Sequence, residues 1–267
     1  MFQKTIKNQI IIKGIGLHTG IKQEVKMFPA EADNGITFNG IRLSIESVHA
    51  ESGFTQIGKI MTIEHLLSAF AGLSIDNVIV NTKDNEVPIL DGSALPIVKL
   101  LHPIELIKKK RLIRVIKSVW FEDTTAKVGL LPSEKQIFDI EIDYSDTPAI
   151  GFMKERYELT EKTYREYIAP ARSFARTSDI EFLHTQKKAI GASLDTGIAV
   201  KNDKILNPEG LRDPYEFIRH KILDAIGDMT TAGNTLLAEY RSIKGGHYHN
   251  NMLLKSLFKN PKNYQII

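Results

Sequence analysis

The sequence predicts an α+β fold, and three observations support that prediction. Strand signals dominate before residue 60, beginning with the β-branched run Ile10-Ile11-Ile12. A well-delimited helix is predicted over residues 214–231. A short motif recurs in the two halves of the chain, which a charged stretch separates near residue 108. A chain of 267 residues can form one large domain or two ordinary ones.

In the first half, the glycines of Gly14-Ile15-Gly16 are expected to end the first strand. Thr62 is the predicted N-cap of a helix with one apolar face. The residues of that face are Leu66, Leu67, Phe70 and Leu73. Residues 78–80 are predicted to be a buried strand, Asp91-Gly92 a turn and residues 94–101 a short helix.

In the second half, residues 138–144 alternate strictly between apolar and polar side chains, which predicts a strand with one buried face. For the helix over 214–231, Asp213 is predicted as the N-cap and Pro214 as the first helical residue. Glu216 would complete a capping box, and Gly233 fits the C′ position. Residues 236–240 are predicted as a strand and 250–258 as a closing helix.

The recurring motif is His65-x-x-x-Ala69-x-x-Gly72 in the first half and His220-x-x-x-Asp224-x-x-Gly227 in the second. Each copy lies on a predicted helix that is followed by an apolar strand. Duplication would explain the match, and so would chance, so both interpretations stay open. The run Ile107-Lys108-Lys109-Lys110-Arg111 is predicted to be a solvated loop, and it gives the expected boundary between domains 1–108 and 109–267.

Composition limits the function classes. With 35 basic and 32 acidic residues, the net charge of +3 is too small to indicate nucleic-acid binding by bulk electrostatics. The chain has no cysteine, so any metal must be bound by nitrogen and oxygen ligands. The N-terminal residues lack the apolar core of a signal peptide, and no apolar run approaches the ~20 residues that span a bilayer. The expectation is a soluble cytoplasmic protein, with contact to a membrane surface left open.

Two His-carboxylate clusters indicate metal chemistry. His220 and Asp224 are spaced i and i+4, so they lie on the same face of one helix. Together with His65 they would form a suitable ligand set for a zinc ion that keeps one position open for water. Glu64 could then take a proton from that water. The alternative is a buried histidine and aspartate that satisfy each other in an ordinary core.

The glycine pair in Gly245-Gly246-His247-Tyr248-His249 precedes two further histidines, which could be surface residues of a plain turn. One of them could instead act as a cation near the reaction centre, oriented by an aspartate such as Asp228. Lys221 and Lys244 lie next to the clusters. They could bind a substrate phosphate or be solvated. No helix signal follows the glycine-rich turn at 14–20, so a dinucleotide-binding fingerprint is rejected.

Many ordered sequence blocks also carry a family resemblance. They are Thr5-Ile6-Lys7, Gly14-Ile15-Gly16-Leu17-His18-Thr19-Gly20, Gly35-Ile36-Thr37-Phe38, Thr62-Ile63-Glu64-His65-Leu66, Ile75-Asp76-Asn77, Glu86-Val87-Pro88-Ile89-Leu90-Asp91-Gly92-Ser93-Ala94, Ala171-Arg172-Ser173-Phe174, Gly191-Ala192-Ser193-Leu194-Asp195, Asn207-Pro208-Glu209-Gly210-Leu211-Arg212, His220-Lys221-x-x-Asp224-x-x-Gly227-Asp228 and Gly246-His247-x-x-Asn250. Almost from end to end, the chain resembles the zinc-dependent UDP-3-O-acyl-N-acetylglucosamine deacetylases of lipid A biosynthesis.

The resemblance implies two α+β domains, each layering a sheet on helices, with the active site between them. It implies one Zn²⁺ per monomeric chain and a UDP-3-O-acyl-N-acetylglucosamine substrate. The implied metal ligands are His65, His220 and Asp224. The implied catalytic residues are Glu64 as the general base and His247, which is partnered by Asp228. The implied substrate contacts are Lys221 and Lys244 to the phosphates and the aromatic Tyr144 near the uracil. Residues 173–200 are the candidate acyl passage, with Phe174, Ile180, Phe182, Leu183 and Leu194 as its apolar side chains; ordinary core packing is the alternative.

Two departures from the family pattern affect these expectations. Ser173 stands where many members have threonine, and its hydroxyl can still donate a hydrogen bond to the reacting carbonyl. Arg176 stands where an apolar residue often borders the acyl passage, which affects the expected chain length. Two rival functions stay open: a metallohydrolase that acts on another N-acyl sugar or amide, and a non-catalytic module that binds acidic glycolipids around a structural metal.

Overall fold

The computed structural model describes residues 1–51 and 53–267 and has an α+β fold, in which these residues form five sheets and six α-helices. The helices are α1 (Glu64–Gly72), α2 (Leu95–Leu100), α3 (Glu161–Thr163), α4 (Thr177–Thr185), α5 (Glu216–Thr230) and α6 (His247–Phe258), with a π-helical turn at Tyr164–Ile168 and a 3₁₀ turn at Pro261–Asn263. No helix in this described part is both long and apolar enough to cross a bilayer.

The strands are short and evenly spread along the chain. They are β1 (Phe2–Ile6), β2 (Ile10–Ile15), β3 (Lys22–Pro29), β4 (Ile36–Phe38), β5 (Ile41–Arg42), β6 (Val48–Glu51), β7 (Phe54–Ile57), β8 (Val78–Thr82), β9 (Pro103–Lys109), β10 (Leu112–Val115), β11 (Val119–Glu122), β12 (Lys127–Pro132), β13 (Ile137–Tyr144), β14 (Gly151–Glu158), β15 (Phe174–Arg176), β16 (Ile198–Lys201), β17 (Lys204–Ile205), β18 (Thr235–Ile243) and β19 (Tyr264–Ile266).

The main sheet of the first half has the strand order β2-β3-β8-β4-β5. Along β3 the side chains alternate, so that Val25 and Met27 are buried while Lys22 is exposed. Buried Leu66 and Phe70 of α1 belong to the same apolar core. The buried face of β3 and the apolar side chains of α1, the helix that carries Glu64 and His65, therefore contribute to one core.

The main sheet of the second half has seven strands and is organised around β18, which pairs with β10, β12 and β13. The strict alternation predicted for residues 138–144 is confirmed in β13, where Phe138, Ile140 and Ile142 are buried. Helix α5 packs against this sheet and also against α1. The two halves therefore meet along the α1–α5 contact.

The recurring motif marks equivalent positions in the two halves. Helix α1 is followed by β8, which runs parallel to β4, and helix α5 is followed by β18, which runs parallel to β10 and β13. A Cβ atom on Gly227 of α5 would overlap with the carbonyl oxygen of Glu64 in the first turn of α1. The glycine is therefore needed for the close approach of the two helices.

One prediction about the first half is confirmed and one is wrong. Strand β2 ends at Ile15, within the predicted motif Gly14-Ile15-Gly16, although Gly14 itself still pairs with β3 and leaves room for Pro88. Thr62 does not cap α1: the N-cap is Ile63, without a side-chain bond, and the Thr62 hydroxyl donates to Glu86 at 3.1 Å. The predicted strand at 78–80, turn at 91–92 and helix at 94–101 are confirmed within a few residues.

The predicted capping box of α5 is also wrong. The helix begins at Glu216, its N-cap is Tyr215, and the Glu216 side chain instead binds Arg172 and the backbone N–H of Arg212. Gly233 has the expected positive φ of 83°, but it lies two residues beyond the C-cap rather than one. Strand β18 and helix α6 extend further than predicted, and α6 starts at His247.

The charged stretch near residue 108 is solvated as predicted, because residues 107–109 are exposed, but it forms a strand and not a loop. Its first residues belong to β9, which pairs with β1 at the start of the chain. The side chain of Lys110 is only 5% exposed, and its ammonium group donates to the Ser74 carbonyl and to Asp76, both at 2.9 Å. The end of this charged stretch is therefore attached to the first half of the chain, through β1 and through the segment that follows α1.

Candidate active site

The predicted site residues meet in one cavity of about 560 Å³ between the two halves. Those that border it are Glu64, His65, Tyr144, Ser173, Phe174, His220, Lys221, Asp224, Lys244 and His247. Asp228, the remaining predicted residue, lies behind His247 and is buried. The cavity is therefore bordered by four parts of the chain: α1, α5, the start of α6 and the segment before β15.

His65, His220 and Asp224 form the only cluster of potential metal ligands of three or more residues within the described residues. One ligand atom from each lies within 4.8 Å of the others. Asp224 Oδ1 is 3.5 Å from His65 Nε2 and 3.4 Å from His220 Nε2. The i, i+4 spacing on α5 and the docking of α1 therefore produce the predicted triad.

The electrostatic surroundings favour a neutral imidazole and an ionised carboxylate in this triad. Burial lowers the pKa of His220 to about 4, despite the opposing attraction of Asp224. Burial by itself would raise the pKa of Asp224. The electrostatic attraction of His220 and Lys221 is stronger and lowers this pKa well below its usual range. These are the protonation states that metal ligands need.

The donor set fits a zinc ion. His220 Nδ1 is 3.1 Å from the Ala171 carbonyl oxygen, so its N–H donates there and the Nε2 lone pair is free. His65 Nδ1 is buried and has no hydrogen-bond partner in the described part of the chain. Two imidazoles and one carboxylate leave a fourth position open, as in catalytic zinc sites.

Glu64 is buried beside the triad. Burial raises its pKa above the usual range, against the opposing attraction of His247 and His65. Its Oε2 atom accepts the backbone N–H of Thr55 at 3.0 Å, which fixes the carboxylate. A carboxylate with a raised pKa is suited to take a proton from water near neutral pH.

His247 forms a buried pair with Asp228. Its Nδ1 is 2.8 Å from Asp228 Oδ2, and the same oxygen accepts the side-chain N–H of Asn250 at 2.7 Å. Burial lowers the pKa of His247, but attraction to Asp228 and a hydrogen bond to it prevail and raise the pKa to about 9. The imidazole is therefore a cation at neutral pH, as the sequence suggested for one of the two histidines.

His249, the other histidine of that segment, also borders the cavity, but its ring is bound by residues outside the triad. Its Nε2 is 3.1 Å from Asp123 Oδ2, and its Nδ1 accepts the backbone N–H of Gly246 at 3.3 Å. It therefore ties the start of α6 to the β11–β12 turn.

The lysines and aromatic residues line the cavity beside the triad. Lys221 is not solvated, because it donates to Asp224 Oδ2 at 2.7 Å and is largely buried. Lys244 is half exposed and pairs with Asp143 at 2.7 Å. Tyr144 and Phe174 pack edge to face with ring centroids 5.7 Å apart. This wall combines aromatic surface with two lysines, each paired with an aspartate.

Ser173 is clamped through its backbone. Its N–H donates to the Gly92 carbonyl and its carbonyl accepts the N–H of Ile198, both at 2.7 Å. Arg176, the departure noted in the sequence, pairs with Asp146 and Asp179 and lies 5.8 Å from the Tyr144 ring centroid. Its charge is therefore neutralised locally.

The candidate acyl residues beyond Phe174 are not part of the cavity wall. They are Ile180, Phe182, Leu183 and Leu194. They are not core residues either: α4 has no buried residue, and Phe182 and Leu194 are exposed. The alternative of ordinary core packing is therefore wrong for these four residues, but it is confirmed for Ile198 and Val200 at the end of the same stretch.

Sequence reasoning missed the residue that links the two halves of the site. The backbone N–H of Thr55 donates to Glu64, and its hydroxyl donates to Asp228 at 2.7 Å. Nothing in the sequence near Thr55 signals this role. The sequence analysis predicts no role for Asn250, although its position three residues after His247, on the same face of a helix, is an available signal.

Comparisons with known proteins agree with this geometry. Residues 3–259 match the family model described as LpxC, UDP-3-O-acyl N-acetylglycosamine deacetylase. The chain belongs to this family. Curated proteins named UDP-3-O-acyl-N-acetylglucosamine deacetylase are similar to it along its whole length. They include those of Sulfurovum sp. (40% identity, covering 100% of this chain and 95% of that protein), Helicobacter hepaticus (38%, 100% and 93%) and Chromobacterium violaceum (37%, 99% and 93%).

Membership of the family confirms the resemblance stated from the sequence and its α+β fold. It also identifies the protein as a deacetylase, a hydrolase of amide bonds. The rival interpretation as a non-catalytic binding module is thereby disfavoured.

Proposed function

We propose that this protein is a zinc-dependent hydrolase that removes the N-acetyl group from UDP-3-O-(3-hydroxyacyl)-N-acetylglucosamine. The products are acetate and the free 2-amino sugar nucleotide, a committed step of lipid A biosynthesis. The main support is the convergence of the triad, Glu64 and His247 on one cavity in a chain of this family.

His65, His220 and Asp224 would hold the zinc ion, one per chain. When bound, zinc polarises the acetamide carbonyl and makes water a stronger nucleophile at neutral pH. Glu64 takes a proton from the water as it attacks the carbonyl carbon. The buried carboxylate is suited to this because burial raises its pKa.

The developing oxyanion would be stabilised by the His247 cation and by the Ser173 hydroxyl. Asp228 keeps the imidazole charged and oriented through the 2.8 Å contact to Nδ1. When the C–N bond breaks, the amine leaves with a proton. Protonated Glu64 and the His247 cation are its two donors in the cavity.

The remaining substrate contacts follow from the aromatic and basic wall. We assign the phosphates to Lys221 and Lys244, the uracil side to Tyr144, and the entrance of the acyl passage to Phe174. Lys221 also neutralises Asp224, to which it is hydrogen bonded at 2.7 Å. Its contribution to the site therefore includes the charge balance of the triad.

We further propose a cytoplasmic monomer with two domains, 1–108 and 109–267. Every strand ladder in the described part of the chain joins strands from the same side of residue 110, which supports two domains. Because β9 ends at Lys109 and pairs with β1, the ladders favour a boundary just after Lys109, slightly beyond the predicted one. Transient contact with the inner membrane surface is supported by exposed Ile21, Phe182 and Ile190. Ile190 lies against Gly20, so two of the three are close together.

The function is tested by acetate release from UDP-3-O-(3-hydroxyacyl)-N-acetylglucosamine. Chelator-stripped protein should be inactive, and one equivalent of Zn²⁺ should restore turnover. N-Acetylglucosamine and simple acetamides should not compete with the nucleotide substrate. Folded, zinc-loaded protein that releases acetate from other N-acyl sugars but not from this one would contradict the substrate assignment.

Glu64→Gln separates a catalytic metal site from a structural one. The variant should retain zinc and lose about 10²–10⁴-fold in kcat, because it lacks the general base. Zinc content by elemental analysis and acetate release are measured on the same sample. Unchanged turnover would indicate that Glu64 is not the base.

A further inference from the structure

Glu86 is a completely buried carboxylate for which the catalytic mechanism has no use. In the described residues no lysine or arginine pairs with it; it accepts four hydrogen bonds instead. Oε2 accepts the Thr19 N–H at 3.0 Å and the Thr19 hydroxyl at 2.6 Å. Oε1 accepts the His18 N–H at 2.8 Å and the Thr62 hydroxyl at 3.1 Å. Four hydrogen bonds to one buried carboxyl group hold its position firmly in the structure.

Thr62, one of these donors, has a strained backbone. Its φ of 59° lies in the left-handed region, which a β-branched residue rarely adopts. The residue is buried and lies two positions before Glu64, at the wall of the catalytic cavity. Such conformations persist only where the surroundings hold them.

The strain has a geometric origin. Met61 is fixed on one side, because its N–H donates to the Asn85 carbonyl at 2.9 Å and its carbonyl accepts the Val87 N–H at 3.0 Å. Ile63 is fixed on the other side by its N–H bond of 3.2 Å to the Thr55 carbonyl on β7. Thr62 must join two separately anchored residues. The turn between them sets where α1 begins, and hence where Glu64 and His65 lie.

We infer that Glu86 is a positioning residue for the catalytic site: its carboxylate holds Thr62 in the left-handed conformation from which α1 starts. Among the described residues, no hydrogen bond or ion pair joins Glu86 to the triad or to Glu64, so it acts through Thr62. The inference rests on the proposed function only for its kinetic readout. The conformation of residues 61–65 can be followed without any substrate.

The decisive experiment is a double-mutant cycle of Glu86→Gln with Thr62→Gly. Glycine adopts positive φ without strain, so it needs no support from Glu86. We expect Glu86→Gln to lower kcat about tenfold in the wild-type background, in line with the cost of an unsupported left-handed residue, and to change KM less than about twofold. In the Thr62→Gly background the same change should lower kcat less than about threefold. An equal loss in both backgrounds would overturn the inference.

Hydrogen exchange measured by mass spectrometry gives the second readout. Glu86→Gln should speed exchange of the amides of residues 61–65 and leave those of β18 unchanged. Thr19→Val is the matched control, since it removes a hydroxyl from the other carboxylate oxygen and does not touch Thr62. Faster exchange at 61–65 in this control, equal to that of Glu86→Gln, would show a general loosening and contradict the inference.

Thr62→Val and Thr62→Ser cover the case in which Glu86→Gln does not fold. Valine keeps the branched shape and removes the hydroxyl that reaches Glu86, whereas serine keeps the hydroxyl. We expect the valine variant alone to lose kcat and to exchange faster at 61–65. If both variants behave like the wild type, the hydrogen bond from Thr62 does not position α1. If wild-type protein releases no acetate, the exchange data still decide the inference, so the two failures are distinguishable.

Discussion

The start of α1 and the interior of α5 contribute to the same site in different ways. On α5, hydrogen bonds orient the side chains of the ligands. His220 donates its Nδ1–H to the Ala171 carbonyl, and Asp224 Oδ2 accepts a hydrogen bond from the Lys221 ammonium group. On α1, His65 Nδ1 has no such partner among the residues described. The helix also begins without a side-chain cap, directly after the strained Thr62.

This difference shows that the α5 half of the site is prepared before a metal binds, through hydrogen bonds to its ligands. The α1 half depends on where the helix itself is placed. Its position is set by the turn at Thr62, by Thr55 and by the contact with Gly227. Changes on the two helices should therefore have different consequences.

The largest effect is expected where the two helices touch. In Gly227→Ala the new methyl group overlaps with the Glu64 carbonyl oxygen, which is backbone and cannot rotate away. We expect a loss of about 3 kcal/mol in the free energy of unfolding, measured by urea denaturation of the zinc-free protein. Zinc affinity should fall as well, because α1 must move away from α5.

Gly246→Ala is the matched control for this variant. A Cβ atom at Gly246 meets nothing within 4 Å, and its φ of −144° suits any residue. Its unfolding free energy should stay within about 1 kcal/mol of the wild type, the usual cost of a change that creates no clash. Equal stability of Gly227→Ala and wild type would show that the helices do not need their close contact.

A smaller effect is expected from the support on the α5 side. Glu216, one turn before His220, binds the Arg172 side chain at 2.8 Å and its backbone N–H at 3.1 Å. This fixes the segment whose Ala171 carbonyl orients His220. Glu216→Gln should weaken zinc binding about 10–100-fold, as changes to the partners of metal ligands do.

Competition with a chromophoric chelator measures this zinc affinity. Glu209→Gln is the control, because Glu209 pairs with the same arginine but is largely exposed, and it should change zinc affinity little. Similar losses in the two variants would mean that the charge of Arg172, rather than the anchored segment, supports the site.

The smallest and most specific effect concerns pH. Because the pKa of His247 is raised to about 9, the imidazole is a cation at neutral pH and loses its proton above that value. Activity of the wild type should therefore fall on the alkaline side with an apparent pKa of about 9. In His247→Gln the lower residual activity should lack this alkaline limb.

His102→Gln removes an exposed histidine and is the control for the pH profile. Its alkaline limb should match that of the wild type. The same sign applies to stability: a folded pKa above the ordinary value of 6.5 stabilises the protein below that pH, and the contribution is lost as pH rises towards 9. An alkaline limb that persists in His247→Gln would assign it to another group.

Local sequence patterns predicted much of the site. The i, i+4 spacing brought His220 and Asp224 to one face of α5, and alternation identified β13 as the strand that ends at Tyr144. These features depend on the geometry of a single element, so the sequence contains them. The same holds for the carboxylate next to His65 on α1.

The failures arose where a distant residue competes for a side chain. The sequence predicted Glu216 as part of a capping box, but its carboxylate accepts a hydrogen bond from Arg172, 44 positions away. The sequence predicted Thr62 as an N-cap, but its hydroxyl donates a hydrogen bond to Glu86. Thr55 and Asp228 are 173 positions apart, so no local pattern could connect them. Contacts of this kind are fixed by tertiary packing rather than by local propensity.

The central claim, that His65, His220 and Asp224 hold the zinc ion, is tested most directly by ¹⁵N NMR of the eight histidines in zinc-free and zinc-loaded protein. Without zinc, His220 should already carry its proton on Nδ1, because that atom donates to the Ala171 carbonyl. One equivalent of zinc should shift the Nε2 signals of His65 and His220 to values typical of metal ligation. Zinc-induced shifts confined to other histidines, or a His220 protonated on Nε2 before zinc is added, would contradict the account.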